Sequence, residues 1–588
     1  MYKNNFKFLI YLIVIFLFIS CKKNDDDEII YTPDESPKIV DVNISTDKSR
    51  YSPGEKVFFT IDQIPDNVTI KYKHLNTVIS QQKLLSNTWD WTPPSEDYKG
   101  YMVELYQTYD ENEVSVGTVA VDVSSDWTKF PRYGFLSKFG NISDFDISHI
   151  IDNLKDYHIN ALQYYDWHNK HHLPLKMNGD LPASNWLDIA KRETIFSTVE
   201  KYIEISKTRN IASMSYNLLY GAWEDFASDG VSHEWMLYND TNHEVINKHD
   251  LDDNWALSDI LVLNPANKSW QDYIFQKTQN MYKYLDFDGW HIDQLGNRGT
   301  LYDYYGNPVN ISDTFSEYLT HLKQKFPNKK MVFNAVNQYG QSEILKQEVD
   351  FAYTEVWGGN DGFDDLATII IENNTLSNQQ KNSVLAAYIN YDLANNTGVF
   401  NTPSVLLADA VIFAFGGSHI ELGEHMLGKE YFPNDNLKMT EDLKSNLKIY
   451  YDFLVAYQNL LRDGGSFNNP VLTSGDGKIQ LKNWPPSTSY VSVIGKEFID
   501  KQIIHLINFS DSNILTWRDT FGDQKTPTVQ KDILLNLTIS KNIKKIWYAS
   551  PDTNSGSSKE LDFTQNGTKT NFRVPYLKYW GMIVVEYY

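Results

Sequence analysis

A chain of 588 residues is too long for one hydrophobic core, and its length corresponds to about three or four domains. Its 41% hydrophobic and 22% charged residues are those of an ordinary globular protein. A formal net charge of −23 gives it no attraction for nucleic acid and disfavours an acidic substrate, so a neutral ligand fits best. Aromatic residues make up 14%, with 38 Tyr and 15 Trp. That abundance favours a glycan ligand, because a pyranose offers an apolar C–H face to an aromatic ring.

In chain order, residues 1–21 read as a signal segment. Lys3 and Lys7 precede an apolar run over 8–19, which stops at Ser20-Cys21. Cys21 is the chain's one cysteine, so no disulfide framework exists, and its setting resembles a bacterial lipobox. The expectation is a lipidated Cys21 in an outer-membrane lipoprotein. The acidic stretch after it resembles a surface-export signal, which implies cell-surface exposure, with a periplasm-facing position as the alternative. An uncleaved membrane anchor is a further alternative, although the run is short for a span. Residues 22–37 are polar and read as a disordered tether.

From residue 38 the period becomes two: Val57, Phe59 and Ile61 alternate with Phe58 and Thr60, and Val114 to Val123 give a second such run. This predicts an Ig-like β-sandwich over 38–128. From 129 to 465 the text alternates strand and helix. Strands are expected at 133–139, 161–167, 212–219, 288–293, 330–336, 351–356, 383–391 and 418–423. Helices are expected at 147–157, 193–209, 269–285, 403–415 and 440–461. The run 260–264 is placed in a loop. Eight alternations predict a central (β/α)8 TIM barrel. Asp463-Gly464-Gly465-Ser466 marks a boundary, and 466–588 reads as a second, Greek-key β-sandwich. The fold class is thus multidomain α/β plus β, with both β-regions serving as scaffold.

Two apolar strands end in carboxylates, Asp293 and Glu355. Strand C-termini open on a barrel's active-site mouth, and paired carboxylates there suit glycosidic-bond cleavage. Other polar strand ends converge with them: Tyr165, Asp166, Asn217, Asn334, Asn390 and Glu421, with Trp357 and His419 beside them. These eight are the candidate substrate-binding residues. Trp290 points away from its neighbours by alternation and is assigned to the core. His168, His171 and His172 lack the ligand spacing of a structural zinc site, so no metal is expected. Asp361, Asp364 and Asp365 lack an EF-hand register and read as a solvated loop. No Walker loop or glycine fingerprint indicates a nucleotide or redox cofactor, and none is expected.

Asp288-Gly289-Trp290-His291-Ile292-Asp293, Tyr353-Thr354-Glu355-Val356-Trp357, Tyr165-Asp166-Trp167 and His419-Ile420-Glu421-Leu422-Gly423 together resemble glycoside hydrolase family 66. The resemblance covers roughly 38–588. It implies dextranase or cyclodextran-forming glucanotransferase activity on an α-1,6-glucan, by a retaining mechanism with Asp293 as nucleophile and Glu355 as acid/base. The absence of a large insert within the barrel favours hydrolysis of dextran to isomaltooligosaccharides. A glucanotransferase, another retaining α-glucanase, and a non-catalytic glycan-binding lipoprotein are the alternatives.

Overall fold

The computed structural model describes residues 42–588 apart from 110 and 111. The signal segment, Cys21 and the tether lie outside the described residues.

The first region holds two antiparallel sheets. Ile44–Thr46, Val57–Ile61 and Thr88–Trp91 make one; Thr77–Lys83, Val68–His74, Lys99–Tyr109 and Asn112–Val123 make the other. The period of two at 57–61 is a period of burial: Val57, Phe59 and Ile61 point inward and Phe58 and Thr60 outward. The inward side chains meet Ile70, Tyr72, Val103 and Val121 of the second sheet in one core. Each such apolar side chain contributes about 1.5–3 kcal/mol on burial.

The middle region alternates strands and helices. Strands one to five are Tyr133–Leu136, Ala161–Tyr164, Ala212–Leu218, Gly289–Asp293 and Lys330–Phe333, paired in parallel in that order. Strands six to eight, Ala352–Glu355, Ser383–Ala386 and Ser418–His419, form a second parallel sheet. A parallel bridge between Asn334 and Tyr353 joins strand five to strand six. The Phe135 N–H donates to Leu422 O at 3.1 Å, which brings the last strand back to the first. The succession therefore closes on itself. At Gly134 a Cβ would come within 2.7 Å of Leu422 O, so a side chain there would part the closing pair. At Gly289 a Cβ would stand 2.1 Å from Lys330 O, so strands four and five approach too closely for any side chain.

Each strand is followed by a helix, and several helices begin at side-chain caps. Ser143 accepts from Asp146 N, Asn267 from Trp270 N and Thr440 from Leu443 N. Helix Thr402–Ala414 is apolar apart from Thr402, Ser404 and Asp409, and every residue from Pro403 to Ala414 is buried. The reason is that strand Lys501–Asn508 of the last region covers its outer side. Helix Glu441–Ala456 packs likewise on strands Lys99–Tyr109 and Asn112–Val123. The last region holds a seven-stranded and a four-stranded sheet whose facing residues, among them Val493, Ile504, Leu535 and Ile583, share a core.

Several boundaries differ from the sequence expectation: strands one, two and five end three residues early, at Leu136, Tyr164 and Phe333, and Glu193–Ile195 is a short strand pairing with Asn185–Leu187 ahead of helix Phe196–Thr208. Strand seven ends at Ala386, where Ala387–Asn390 turn into a loop, and strand eight ends at His419, although Ile420 N still donates to Leu385 O at 3.0 Å. Ile260–Val262 is a strand rather than a loop, antiparallel to Gly221–Ala222 and Lys248–His249. Its partners are dipeptides with no apolar period of their own, so their pairing left no trace in the sequence. That small sheet lies off the parallel succession.

Candidate active site

Asp293 and Glu355 are the last residues of strands four and six, where burial gives way to partial exposure. Their carboxylates face a cavity of about 440 Å³ lined also by Tyr165, Asp166, Tyr216, Asn334, Trp357 and Tyr388. Asp293 Oδ2 accepts from the Tyr216 hydroxyl at 2.6 Å, and Oδ1 accepts from Asn334 Nδ2 at 2.7 Å and from Gln294 N at 2.8 Å. Glu355 Oε1 accepts from the Tyr388 hydroxyl at 2.6 Å, and Oε2 accepts from the same Asn334 Nδ2 at 3.1 Å. Asn334 Oδ1 in turn accepts from the Glu355 N–H at 3.3 Å. One amide nitrogen thus spans both carboxylates. Even laid end to end, its two distances fall short of the roughly 6.5 Å at which the range for inverting glycosidases begins.

The electrostatics separate the two groups. Burial pushes Asp293 up, while the donors from Tyr216, Asn334 and Gln294 favour its ionised form. Burial and then the charge of Asp293 push Glu355 up to about 7, with Tyr388 and Asn334 pulling back. Burial holds the Tyr216 and Tyr388 phenols well above their ordinary value, so both stay protonated donors. Asp166 is pushed up to about 7 by burial, against the pull of Arg192. The site therefore pairs a triply supported carboxylate with a carboxyl that holds its proton near neutrality.

Of the eight candidate substrate-binding residues, Tyr165, Asp166, Asn334 and Trp357 line the cavity. Tyr165 stacks on Phe432 with ring centres 4.4 Å apart. The other four do not line it. Asn217 points to the opposite face of strand three from Tyr216 and Leu218, and its Nδ2 donates to His171 O at 2.8 Å. Asn390 donates to Asp519 O at 2.8 Å and accepts from Asn401 N at 2.8 Å, so its amide is consumed in joining loops. His419 lies behind the strands, with Nδ1 at 3.0 Å from Asp409 Oδ1 and 3.3 Å from Glu421 Oε2, and Nε2 donating to Ala387 O at 2.8 Å. Burial opposes its charge, but Glu421 and Asp409 prevail and raise it to about 10. Glu421 accepts from the Tyr451 hydroxyl at 3.0 Å and is fully buried. His419 and Glu421 form a buried ionic network, not a sugar contact.

Tyr216 and Tyr388 were not expected. Tyr216 precedes Asn217 by one residue, and the sequence does not say which parity of strand three faces inward. Trp290 is buried against the outer helices, among Trp270, Phe315 and Leu319. Among the histidines, His171 Nδ1 accepts from Trp223 Nε1 at 3.1 Å, and His172 Nδ1 accepts from Trp223 N at 3.2 Å. Both rings therefore carry their proton on Nε2. Asp365 Oδ2 accepts from Gly362 N at 2.8 Å, so that aspartate caps a helix.

The profile of glycosyl hydrolase family 66 matches residues 46–584. A cycloisomaltooligosaccharide glucanotransferase of Niallia circulans is 28% identical over 713 aligned positions, covering 92% of this chain and 71% of the relative. A dextranase of Streptococcus salivarius is 24% identical, covering 87% of this chain and 69% of the relative. The crystal structure of a Paenibacillus sp. cycloisomaltooligosaccharide glucanotransferase complexed with cycloisomaltoheptaose superposes with a TM-score of 0.85 at 26% identity, covering 93% of this chain and 99% of that one.

Proposed function

The chain belongs to glycosyl hydrolase family 66, and from that premise we propose that it is a retaining endo-dextranase that cleaves α-1,6-glucosidic bonds to release isomaltooligosaccharides. The parallel succession is read as a (β/α)8 barrel between an N-terminal and a C-terminal β-sandwich, with the carboxylates at its mouth. The observation that carries the reading is the Asn334 amide spanning Asp293 and Glu355 at 2.7 and 3.1 Å. Such a separation suits attack by one carboxylate while the other protonates the leaving oxygen, and it leaves too little room for the water of an inverting reaction.

In the first step Glu355 gives its proton to the glycosidic oxygen as Asp293 Oδ attacks C1. The C1–O bond breaks, the shortened glucan leaves as an alcohol, and a β-glucosyl ester remains. Esterification removes the Asp293 charge and with it part of what raises Glu355. Glu355 then suits the second step as a base. It takes a proton from water, the water oxygen attacks C1, and Asp293 departs as carboxylate. The product is the α-anomer. Tyr165 and Trp357 would offer ring faces to the sugar, and Asp166 a hydrogen-bonding carboxyl.

Cyclising transfer is the second reading, supported by the similarity to the Niallia circulans and Paenibacillus sp. glucanotransferases. Hydrolysis is preferred on the sequence reading, in which the strand-to-strand spacings of the middle region leave no room for a large inserted module. Lipidation at Cys21 and residence at the cell surface remain part of the proposal, resting on the sequence alone.

The test is release of reducing ends from dextran, with pullulan and starch as controls and Asp293→Asn and Glu355→Gln alongside. Linear products from dextran, lost in both variants, support the reading. Cyclic products move the chain to the transferase class. Binding without any bond cleavage in the folded wild type removes the catalytic assignment.

A further inference from the structure

One loop of the C-terminal region reaches the mouth of the parallel strands. Phe363 N donates to Leu515 O at 3.1 Å, Trp517 N to Asp361 O at 3.0 Å, Asn390 N to Arg518 O at 2.8 Å and Leu393 N to Thr520 O at 2.9 Å. Trp517 is fully buried, and its Nε1 donates to Asn360 O at 2.7 Å. The loop is thus fastened by backbone hydrogen bonds to the segments that follow strands six and seven.

Arg518 stands at its centre. Its Nη2 donates to Val356 O at 3.0 Å, and its Nε donates to Asp361 Oδ1 at 3.3 Å. The guanidinium carbon lies 5.9 Å from the Trp357 ring centre, 5.7 Å from Tyr391 and 4.5 Å from Trp517. Guanidinium planes stack on aromatic faces, and here one cation holds three rings. Trp357 also leans on Tyr388, the donor to Glu355, with ring centres 5.5 Å apart. Lys429 Nζ covers Tyr391 at 4.3 Å.

These groups follow strands six and seven, on the Glu355 side of the cavity. The Asp293 side is built instead by Tyr216 and Leu218 of strand three and Leu295 beyond strand four. A carboxyl that protonates the leaving oxygen has the departing sugar on its own side. We propose that Trp357, which lines the cavity and is held by Arg518, forms the subsite for the glucosyl units that leave and for the acceptor that replaces them, so that the C-terminal region is part of the substrate site. The proposal rests on the glucanase reading given above. Arg518 is a positioning residue: it acts through Trp357.

The test compares full-length wild type, Arg518→Ala and Arg518→Lys. Two substrates are used: isomaltohexaose, and a 4-nitrophenyl α-isomaltoside whose leaving group needs no sugar on that side. In Arg518→Ala, the rise in KM for isomaltohexaose should exceed that for the nitrophenyl substrate by about tenfold, with a changed product-length distribution. Arg518→Lys should recover part of that difference. Calorimetric titration of isomaltohexaose should show binding weakened by a similar factor. Equal losses on both substrates would mean a merely structural role, and an unchanged KM and product pattern would remove the role altogether; either result overturns the proposal. If the wild type binds isomaltohexaose more tightly than Arg518→Ala but cleaves nothing, the subsite stands and the hydrolase reading falls. If the wild type does not bind it, both fall.

Discussion

Tyr388 donates its phenolic hydrogen to Glu355 Oε1 across 2.6 Å, from the loop that follows the strand next to the one that carries the glutamate. That bond favours the ionised carboxylate, against the burial and the Asp293 charge that together bring Glu355 to about 7. The first step needs Glu355 protonated, so kcat/KM should fall as pH rises through about 7. Tyr388→Phe removes a stabiliser of the charged form, and the basic limb should move upward by about one pH unit, given about 1.4 kcal/mol per unit. A limb that stays in place would mean that another group sets it.

Asn334→Ala should lower kcat by about a hundredfold, the scale expected when a preorganised donor at reacting groups is lost. The amide also favours the ionised form of Asp293. Its loss should therefore shift the acidic limb upward as well. Full pH–rate profiles of the variant check both effects, and a change in KM alone would contradict the bridging role.

Glu355→Ala should retain ester formation with a good leaving group and lose general base assistance. Azide, which needs no base, should then accelerate turnover of an activated α-isomaltoside and give the α-glycosyl azide. Anomeric configuration read by NMR is decisive: a β-azide would mean that no covalent intermediate forms on Asp293.

Glu355→Gln should make the folded protein more stable at pH 8 than the wild type. The folded value of about 7 lies above the unfolded one, so ionisation disfavours the native state. Stability from this group is complete below the unfolded value and is lost as pH rises through about 7. The variant's advantage should reach about 3 kcal/mol at pH 8 and vanish near pH 4. Chemical denaturation at the two pH values measures the difference.

Glu421→Gln should cost about 3 kcal/mol of stability, because it breaks a buried ionic network around His419. The surviving enzyme should keep its KM within about twofold, since Glu421 lies away from the cavity. A large rise in KM with unchanged stability would return Glu421 to the sugar site.

The carboxylates, Tyr165 and Trp357 were legible because a strand followed by a loop fixes where its last side chains emerge. Parity and depth were not. Tyr216, not Asn217, faces the cavity, and a strand buried on both faces carries no alternation to distinguish the two. Asn390 and His419 lie beyond or at the ends of shortened strands. Their polar character serves loop joining and a buried charge pair, roles that look the same as substrate binding in a string of letters. Ile260–Val262 became a strand only through partners distant in sequence. The alternations at 57–61, by contrast, needed no distant information, since each sheet there has one buried face.

Of the most recognisable hexapeptide only His291 and Asp293 line the cavity, and the first two members show what the others are for. Asp288 Oδ2 accepts from Ser213 N at 2.7 Å and so ties strand four to strand three, while Gly289 has room for no more than a hydrogen beside Lys330 O. A methyl group at 289 would force the two strands apart and displace Asp293, four residues on. The letters by which such chains are found therefore record, in part, how tightly a scaffold can be drawn together. A relative that had lost its carboxylates but kept its strand spacing would still answer to most of that pattern, and a search built on it sorts architectures before it sorts catalysts.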